Sequence, residues 1–485
     1  MKKNSIKKNF IYNLVYQVFV MAAPLVTTPY ISRCLGAERI GEYSYAYSLV
    51  SYFMIAAILG TATYAEREIA RYQDDKEKRS YRFWDLFTLR IITSFICIVF
   101  YFVFISITNN DYLLSLIVSL NLFSVALDTV WVFQGMEEFG KISVRNMFAK
   151  IVVIASIFIF VKSPDDIYIY TLIMSLSPVV SALTLLPFIP KYISKPNFKK
   201  IKPFKDFKNI LRLFVPTVAI SVYTVLDVTM IGLFTATKVE NGYYEQATKL
   251  SKTALTIITT LSTVMMPRIS YYFAKDDKDK IQEYMLKSYQ FALFLGFPIC
   301  FGLIGISSNL VPWFYGTGYD KVATLLNLSS FLVIAIGLSN ITGVQYLVPT
   351  MQQDKLTISV VIGAAINFVC NLVLIPRWYS SGAMLASVIA EFSVTAVQFY
   401  YVRKQLNLKK IIAYVPKYLI ASLLMLVLLI IEDQYLASSV ISTLIMIVSG
   451  AFLYFIVLII MRDKLILEFF SQLKLRLNAL LNKHE

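Results

Sequence analysis

The sequence predicts an all-α polytopic membrane protein with about fourteen transmembrane helices, arranged as two six-helix lobes and two further helices. The first observation is composition, because 57% of the 485 residues are hydrophobic and the mean hydropathy is +0.64. The second is that the apolar residues form runs of about twenty, each long enough to cross a hydrocarbon core of roughly 30 Å as a helix. A helix is favoured because it satisfies its own backbone hydrogen bonds in lipid.

The apolar runs give the positions of the spans. The first run follows several lysines, as a secretory signal does, but it contains Gln17 and two prolines and no small-residue cleavage site. We therefore expect it to be retained as the first span. The predicted spans are residues 10–32, 43–65, 84–107, 112–135, 143–162, 167–190, 210–235, 246–270, 287–310, 323–348, 357–376, 383–402, 413–431 and 438–461.

The charges give the orientation of the spans. The formal net charge is +16, with 46 Lys and Arg residues against 30 Asp and Glu residues. The cations collect in alternate loops, of which 191–209 is the longest basic connection. This positive-inside pattern predicts that both termini are cytoplasmic, and it accounts for the basic excess without nucleic acid as a partner. The same loops favour contact with anionic membrane lipids.

The basic connection also divides the chain. It carries Pro196 and Pro203 and follows the sixth span, as a linker between two lobes would. The C-terminal tail alternates leucines with cations and predicts an amphipathic cytoplasmic helix. The predicted organisation is an N-terminal lobe at 1–190, the linker at 191–209, a C-terminal lobe at 210–403, spans thirteen and fourteen within 404–461, and the tail at 462–485.

A short internal repeat supports the two lobes. Six spans return the chain to the same side of the membrane, so the lobes are expected to be parallel repeats around a central cavity, related by an axis along the membrane normal. Chance similarity between apolar segments is the alternative. The pattern G-x-Y-x-x-A-x-x-L occurs as Gly41, Tyr43, Ala46 and Leu49, and again as Gly242, Tyr244, Ala247 and Leu250.

A longer motif points to a family. The segment Asp128-Thr-Val-Trp131-Val-Phe133-Gln134-Gly135-Met-Glu137 resembles the D-x-x-W-x-F-Q-G-x-E signature of the Wzx-type polysaccharide flippases, which are the polysaccharide transport family of the MATE-like MOP exporter superfamily. Other positions agree in order, including Pro267-Arg268 and the pair Asn367 and Asn371. The resemblance covers residues 10–403, while spans thirteen and fourteen match only in number and position.

The resemblance implies a transporter that moves undecaprenyl-diphosphate-linked oligosaccharide units from the inner to the outer leaflet of the bacterial cytoplasmic membrane. It would serve capsule or another surface polysaccharide by alternating access, with H+ or Na+ as coupling ion. The polysaccharide polymerase and the glycosyltransferases are the expected protein partners, and the chain is expected to be a monomer. Two alternatives are a flippase for lipid II or a teichuronic/teichoic-type precursor and a MATE-like cation-coupled drug exporter.

Enzymatic chemistry is not indicated by the residues. The sequence has no GxxxxGK[ST] phosphate-binding loop, and its polar loops are short. The single histidine is His484, and the four cysteines lie far apart without C-x-x-C spacing. We therefore predict neither an enzyme nor a Cys/His metal site.

Cations within the predicted spans are the sharpest candidates for the site, because each costs at least about 2.5–3.5 kcal/mol unless it is paired or hydrated. We expect them to form a cationic cavity that holds the anionic diphosphate. Two alternatives stay open: snorkelling to lipid headgroups, and an ion pair of Lys249 with Glu245 on the helix surface. The inner tier is Arg90, Lys150 and Arg268, and the outer tier is Arg33, Lys249 and Lys252.

Acidic and uncharged polar residues complete the candidate site. Asp128, Asp227 and Glu391 are candidates for ion coupling, with structural ion pairs as the alternative. Prolines interrupt the backbone ladder of a helix, which predicts hinges in the first helix of each lobe, at Pro24, Pro29 and Pro216. The polar residues expected to meet sugar hydroxyls, or else to bond neighbouring helices, are Gln17, Gln134, Gln246, Asn367 and Asn371.

Overall fold

The structure is a computed structural model that describes residues 3–108, 111–463 and 465–467, and its regular elements in these ranges are all helices. Ten of the helices in these ranges are long and apolar enough to cross a membrane. The prediction of an all-α multi-pass membrane protein is therefore confirmed, while the count of fourteen spans stays a prediction. The predicted amphipathic tail lies almost entirely outside the described residues.

The helices of the first half of the chain lie on the predicted spans. Short 3₁₀ turns at Pro164–Asp166, Leu186–Phe188 and Phe198–Lys200 connect some of them. The helices are α1 Lys3–Ile58, α2 Thr61–Arg71, α3 Lys76–Ile107, α4 Tyr112–Val118, α5 Leu120–Leu127, α6 Val130–Gly135, α7 Phe139–Phe160, α8 Ile167–Leu183, α9 Ile189–Tyr192 and α10 Phe207–Phe234.

The second half continues with longer helices. A π-helical segment, Ile341–Leu347, extends α13 and places the buried amide of Gln345 within 2.7 Å of the Ser288 hydroxyl. The helices are α11 Val239–Ala274, α12 Lys278–Tyr315, α13 Asp320–Asn340, α14 Gln353–Val402, α15 Leu408–Tyr435 and α16 Val440–Ile460.

Two long helices each cover a pair of predicted spans. The expected loop between the first two spans is reduced to a kink at Gly36, whose positive φ of 76° suits a residue without a side chain. The eleventh and twelfth spans are likewise joined in α14, with a break at Tyr379. Both connections carry polar residues in the sequence, but hydropathy alone does not distinguish a kink within a helix from a loop between two helices.

The second and the fourth predicted spans are broken. The second span, predicted at 43–65, is interrupted after Ile58, where Leu59 and Gly60 both have positive φ and α2 begins in a new direction. The fourth, predicted at 112–135, divides into α4, α5 and α6. The break before α6 falls at Asp128, whose backbone is extended.

The described residues fold as two compact units, one within residues 1–246 and 368–383 and the other within 247–367 and 384–485. In the first unit an aromatic core surrounds buried Trp131, which packs against Phe83. In the second unit Phe294 packs against buried Tyr418 and Tyr454. The lobe boundary predicted at 191–209 stays a prediction.

The repeated G-x-Y motif has a packing reason within the first unit. A methyl group added at Gly41 would overlap the backbone carbonyl of Lys238, and one added at Gly242 would overlap the carbonyl of Ala37. The two glycines thus let α1 and the start of α11 approach backbone to backbone, in the manner of small residues at membrane helix contacts. Each copy of the motif supplies one side of the same contact.

Candidate functional site

The D-x-x-W motif builds an ion pair inside the first unit. Arg90 on α3 is 2% exposed, and its Nη1 donates to the Asp128 Oδ2 and to the Asp128 backbone carbonyl, both at 3.3 Å. Asp128 also caps α6, because its Oδ1 accepts from the Val130 amide at 3.0 Å. The Trp131 indole donates to the Asp128 carbonyl at 3.1 Å. The motif residues therefore stabilise the break before α6 and also bind the buried guanidinium of Arg90.

A cavity of about 240 Å³ opens beside this ion pair. Arg145 on α7 lines it together with Arg90, and its Nη1 donates to the Ser181 carbonyl at 3.0 Å. The Nε of Arg90 is buried without a hydrogen-bond partner among the described residues. Two guanidinium groups and one carboxylate thus border a small polar space among apolar helices. Arg145 was not a predicted site residue, since it stood in the sequence as an ordinary loop cation.

A second polar cluster in the first unit centres on Asp227 of α10, which is 4% exposed. Its Oδ2 accepts from the Tyr244 hydroxyl at 2.5 Å, and its Oδ1 accepts from the Asn371 amide at 2.7 Å. These donors come from α11 and α14, so three distant parts of the chain meet here. The structure brings together the predicted residues Asp227 and Asn371 and adds Tyr244, which the sequence showed only as part of the repeat.

Other predicted polar residues make local contacts. Gln246 is buried, and its amide donates to the Ser32 hydroxyl at 3.2 Å within the first unit. Asn367 is buried in the second unit, and its amide lies 3.5 Å from the Ser387 hydroxyl. The side chain of Gln17 lies outside the described part of the structure. The Gln246 contact bonds α11 to α1, as the alternative of interhelical hydrogen bonding expected, and the Asn367 contact joins the two parts of α14 across its break at Tyr379.

The remaining predicted site residues are more exposed to solvent than Arg90 and Asp227. Those exposed are Arg33, Lys252 and Arg268, and those half-buried are Lys150, Lys249, Gln134 and Glu391. Arg268 lies over the ring of Tyr284, 5.7 Å from its centroid. Cavity lining and snorkelling both remain open for the exposed cations. The assignment of these side chains to one site stays a prediction.

The predicted hinges fall on helical backbone. Pro24 and Pro29 lie inside α1, and Gly36 is the residue in that helix that leaves helical geometry. Pro216 lies within α10, but its side chain is outside the described part of the structure. A hinge role for the prolines stays a prediction.

Known proteins resemble the chain over most of its length. A family model described as polysaccharide biosynthesis protein matches residues 6–273. The chain is 23% identical over 409 residues to a putative O-antigen transporter of Escherichia coli K12, covering 83% of this chain and 97% of the relative. It is 22% identical over 401 residues to the probable low-salt glycan biosynthesis flippase Agl15 of Haloferax volcanii, covering 81% of this chain and 83% of the relative.

Solved structures share the fold. The lipid II flippase MurJ in an inward closed conformation superposes with a TM-score of 0.73 at 17% identity, covering 94% of this chain and 99% of that one. An inward-facing multidrug resistance MATE family transporter of the MOP superfamily gives a TM-score of 0.58 at 13% identity, covering 84% and 98%. The predicted MATE/MOP-like fold is confirmed. These proteins are named as transporters and flippases, which agrees with a transport protein rather than an enzyme.

Proposed function

The chain belongs to the polysaccharide biosynthesis protein family, and from this membership we propose that it is a flippase for undecaprenyl-diphosphate-linked oligosaccharide units. It moves them from the inner to the outer leaflet of the bacterial cytoplasmic membrane by alternating access. The product supplies capsule or another surface polysaccharide. The family match over residues 6–273 is the observation that carries the proposal, and the named transport of O-antigen and glycans by two relatives supports it.

The substrate sets a definite electrostatic problem. A diphosphate has to cross a hydrocarbon core, where an unpaired charge costs several kcal/mol. Cations along the path lower this cost, because charge-assisted hydrogen bonds to phosphate strengthen in a low-dielectric environment. Arg33, Arg90, Lys150, Lys249, Lys252 and Arg268 supply that charge. Of these, Arg90 is held by Asp128, so its charge is fixed in place.

Ion coupling belongs to the carboxylates. Asp227 is buried and is held by groups on two other helices, so a proton or Na+ that binds this carboxylate could be coupled to helix movement. Asp128 and Glu391 are the other candidates. The flippase needs no further cofactor in this scheme.

The setting of the protein follows from the charge pattern. Both termini lie in the cytoplasm, because the basic loops collect on that side. The flippase works as a monomer and receives its substrate from the glycosyltransferases, and it delivers the substrate to the polysaccharide polymerase.

The proposal is tested in a strain that lacks the gene and keeps its glycosyltransferases. We expect lipid-linked repeat units to accumulate and surface polymer to disappear, with both defects repaired by the wild-type gene. Lys252→Ala should restore little polymer, while Lys278→Ala, which changes another exposed lysine, should restore it fully. Both variants are compared at equal membrane abundance.

Other outcomes would replace the proposal. Accumulation of lipid II or of a teichuronic/teichoic-type precursor would identify a flippase for that lipid instead. A change in drug susceptibility without any lipid-linked intermediate would identify a drug exporter. Normal polymer in the deletion strain would contradict a role in surface polysaccharide.

A further inference from the structure

The linker after the sixth predicted span is bound firmly to the start of α3. The Ser194 amide donates to the Ser80 hydroxyl at 2.8 Å, and the Trp84 indole donates to the Ser194 carbonyl at 2.9 Å. Further along, the Lys202 amide donates to the Asp85 carboxylate at 2.7 Å. The segment predicted from the sequence as a basic linker is therefore hydrogen-bonded along the start of α3 in the first unit.

The end of the linker is fastened in the same way. The Arg82 guanidinium on α3 forms ion pairs with Asp206 at 2.6 Å and with Glu68 at 2.7 Å. These contacts attach the end of the linker to α3 and α2. Arg79 donates to the Tyr192 carbonyl at 2.8 Å, at the start of the linker. The backbone of 192–206 is therefore held at both ends and in the middle.

This attachment creates a basic pocket of about 570 Å³, open to solvent. Its cationic walls come from two sources, the first turns of α3 and the linker. Because the linker backbone that carries most of them is held in place, several of these cations can contact one anionic group without a rearrangement of the linker. The cations that line the basic pocket are Lys78, Arg82, Lys199, Lys200, Lys202 and Lys205.

The charges around the basic pocket do not cancel. Arg82 is matched by its two carboxylates, and Lys78 is paired with Asp75 at 3.1 Å. The four linker lysines that line the pocket form no ion pair with any residue that the structure describes, and Asp85 is the acidic residue in the lining. A hydrogen bond to the Tyr81 hydroxyl raises the pKa of Lys200 above its ordinary value.

Aromatic side chains flank the same lysines. Phe198 precedes Lys199 and is 80% exposed, and Phe204 precedes Lys205 and is 58% exposed. Large apolar side chains beside exposed lysines are the pattern of a segment that lies in the lipid headgroup region, with its rings toward the acyl chains and its cations toward phosphates. The rings indicate a ligand that carries its phosphate at a membrane surface.

We infer that the basic pocket is a binding site for the phosphate groups of a membrane lipid in the cytoplasmic leaflet. Two lipids carry this chemistry: an anionic phospholipid of the bilayer and a polyprenyl diphosphate. The site belongs to the first unit alone and does not depend on what the transport pathway carries. Binding a lipid here would fix the linker against the membrane surface.

The test measures lipid binding to the full-length purified protein by native mass spectrometry. The probes are cardiolipin, undecaprenyl diphosphate and, as the zwitterionic reference, phosphatidylcholine. The pocket variant is Lys199→Gln with Lys202→Gln and Lys205→Gln. The matched control is Lys404→Gln with Lys409→Gln and Lys410→Gln, which removes three exposed lysines elsewhere.

Each lysine near a lipid surface contributes about fivefold in affinity, so the pocket variant should bind its lipid roughly a hundredfold more weakly. The control variant should stay within about threefold of wild type, because its lysines do not line the pocket and so do not contact a lipid bound there. The probe whose binding falls, cardiolipin or undecaprenyl diphosphate, identifies the natural source of the phosphate. Equal losses in the two variants, or no loss in the pocket variant, would overturn the inference.

A second variant separates a lipid site from a site for soluble phosphate. Phe198→Ser removes an exposed ring and leaves every cation in place. It should weaken binding of the lipid severalfold and leave binding of inorganic pyrophosphate unchanged. If Phe198→Ser has no effect and pyrophosphate displaces the lipid completely, the pocket is a soluble anion site and the lipid assignment is wrong. Because binding is measured on purified protein, a failure of the transport proposal leaves this result unaffected.

Discussion

Asp128 and Asp227, two acidic residues of the first unit, are held by different kinds of partner. At Asp128 the carboxylate meets the guanidinium of Arg90, so the charges of this pair sum to zero. Asp227 instead accepts hydrogen bonds from the Tyr244 hydroxyl and the Asn371 amide, two neutral groups on other helices. The first arrangement suits a fixed structural element, while the second suits a group that gains and loses a cation during a cycle.

The largest effect is expected from Arg90→Ala. Removing one member of a buried ion pair leaves the other charge uncompensated, which costs about 3–5 kcal/mol of unfolding free energy in buried pairs. Because the Asp128 side chain is 33% exposed, we expect the lower end, about 3 kcal/mol. The measurement is the unfolding temperature of the detergent-purified protein by fluorescence-detected size exclusion.

The double variant Arg90→Ala with Asp128→Ala is the control for this prediction. It removes both charges, so it should recover part of the stability lost by Arg90→Ala alone, with a coupling of about 1–3 kcal/mol. Additive losses from the two substitutions would show that the pair does not act as a pair. That result would contradict the assignment of Asp128 to a structural ion pair with Arg90.

The second effect concerns the helix contact that supports the Asp227 site. Gly242 lies two residues before Tyr244, and a methyl group at Gly242 would overlap the Ala37 carbonyl. Gly242→Ala should therefore push α11 away from α1 and cost about 1–3 kcal/mol. Gly302→Ala is a matched control, because its added methyl would lie 3.6 Å from Met425, an ordinary contact. The unfolding temperatures of the two variants should differ clearly, and equal values would contradict the packing argument.

The sequence predicted the positions of helices better than it predicted which side chains contact one another. Length and hydropathy placed the spans, and the depth of Arg90 in the third span marked it as a buried cation. Its partner was not predictable, because Asp128 reaches Arg90 only through the break between α5 and α6. That break depends on capping and indole contacts that have no hydropathy signal.

Contacts between distant residues were beyond the sequence for the same reason. Asn371 lies 144 residues after its partner Asp227, and no periodicity relates them. Tyr244 belonged to a recognisable repeat, but the repeat indicated packing and not the hydrogen bond of its hydroxyl. The linker was recognised by its lysines and prolines, whereas its attachment to Ser80 and Asp85 required the folded chain.

A third, smaller effect is expected from Tyr244→Phe. The substitution keeps the ring and removes one hydrogen bond to a charged acceptor, which contributes about 1.5–3 kcal/mol. We expect about 1.5 kcal/mol here, because the Asn371 amide still donates to the carboxylate. Tyr52→Phe, which removes a hydroxyl bonded to Thr229 at 3.0 Å instead, is the matched control. A loss for Tyr244→Phe no greater than for Tyr52→Phe would mean that the bond to Asp227 has no special weight.

Asp227→Asn should have the smallest effect on stability, and it is the most informative test of transport. The amide keeps an oxygen for the Tyr244 hydroxyl, and a flip of the Asn371 amide restores the second bond, so the stability change should be within about 1 kcal/mol. The charge is lost, so a coupling ion has nothing to bind. If Asp227 couples transport to an ion, the variant should fold normally, fail to restore surface polymer and accumulate lipid-linked units at every external pH and Na+ concentration. Full complementation would assign Asp227 a structural role and place the two acidic sites in the same class.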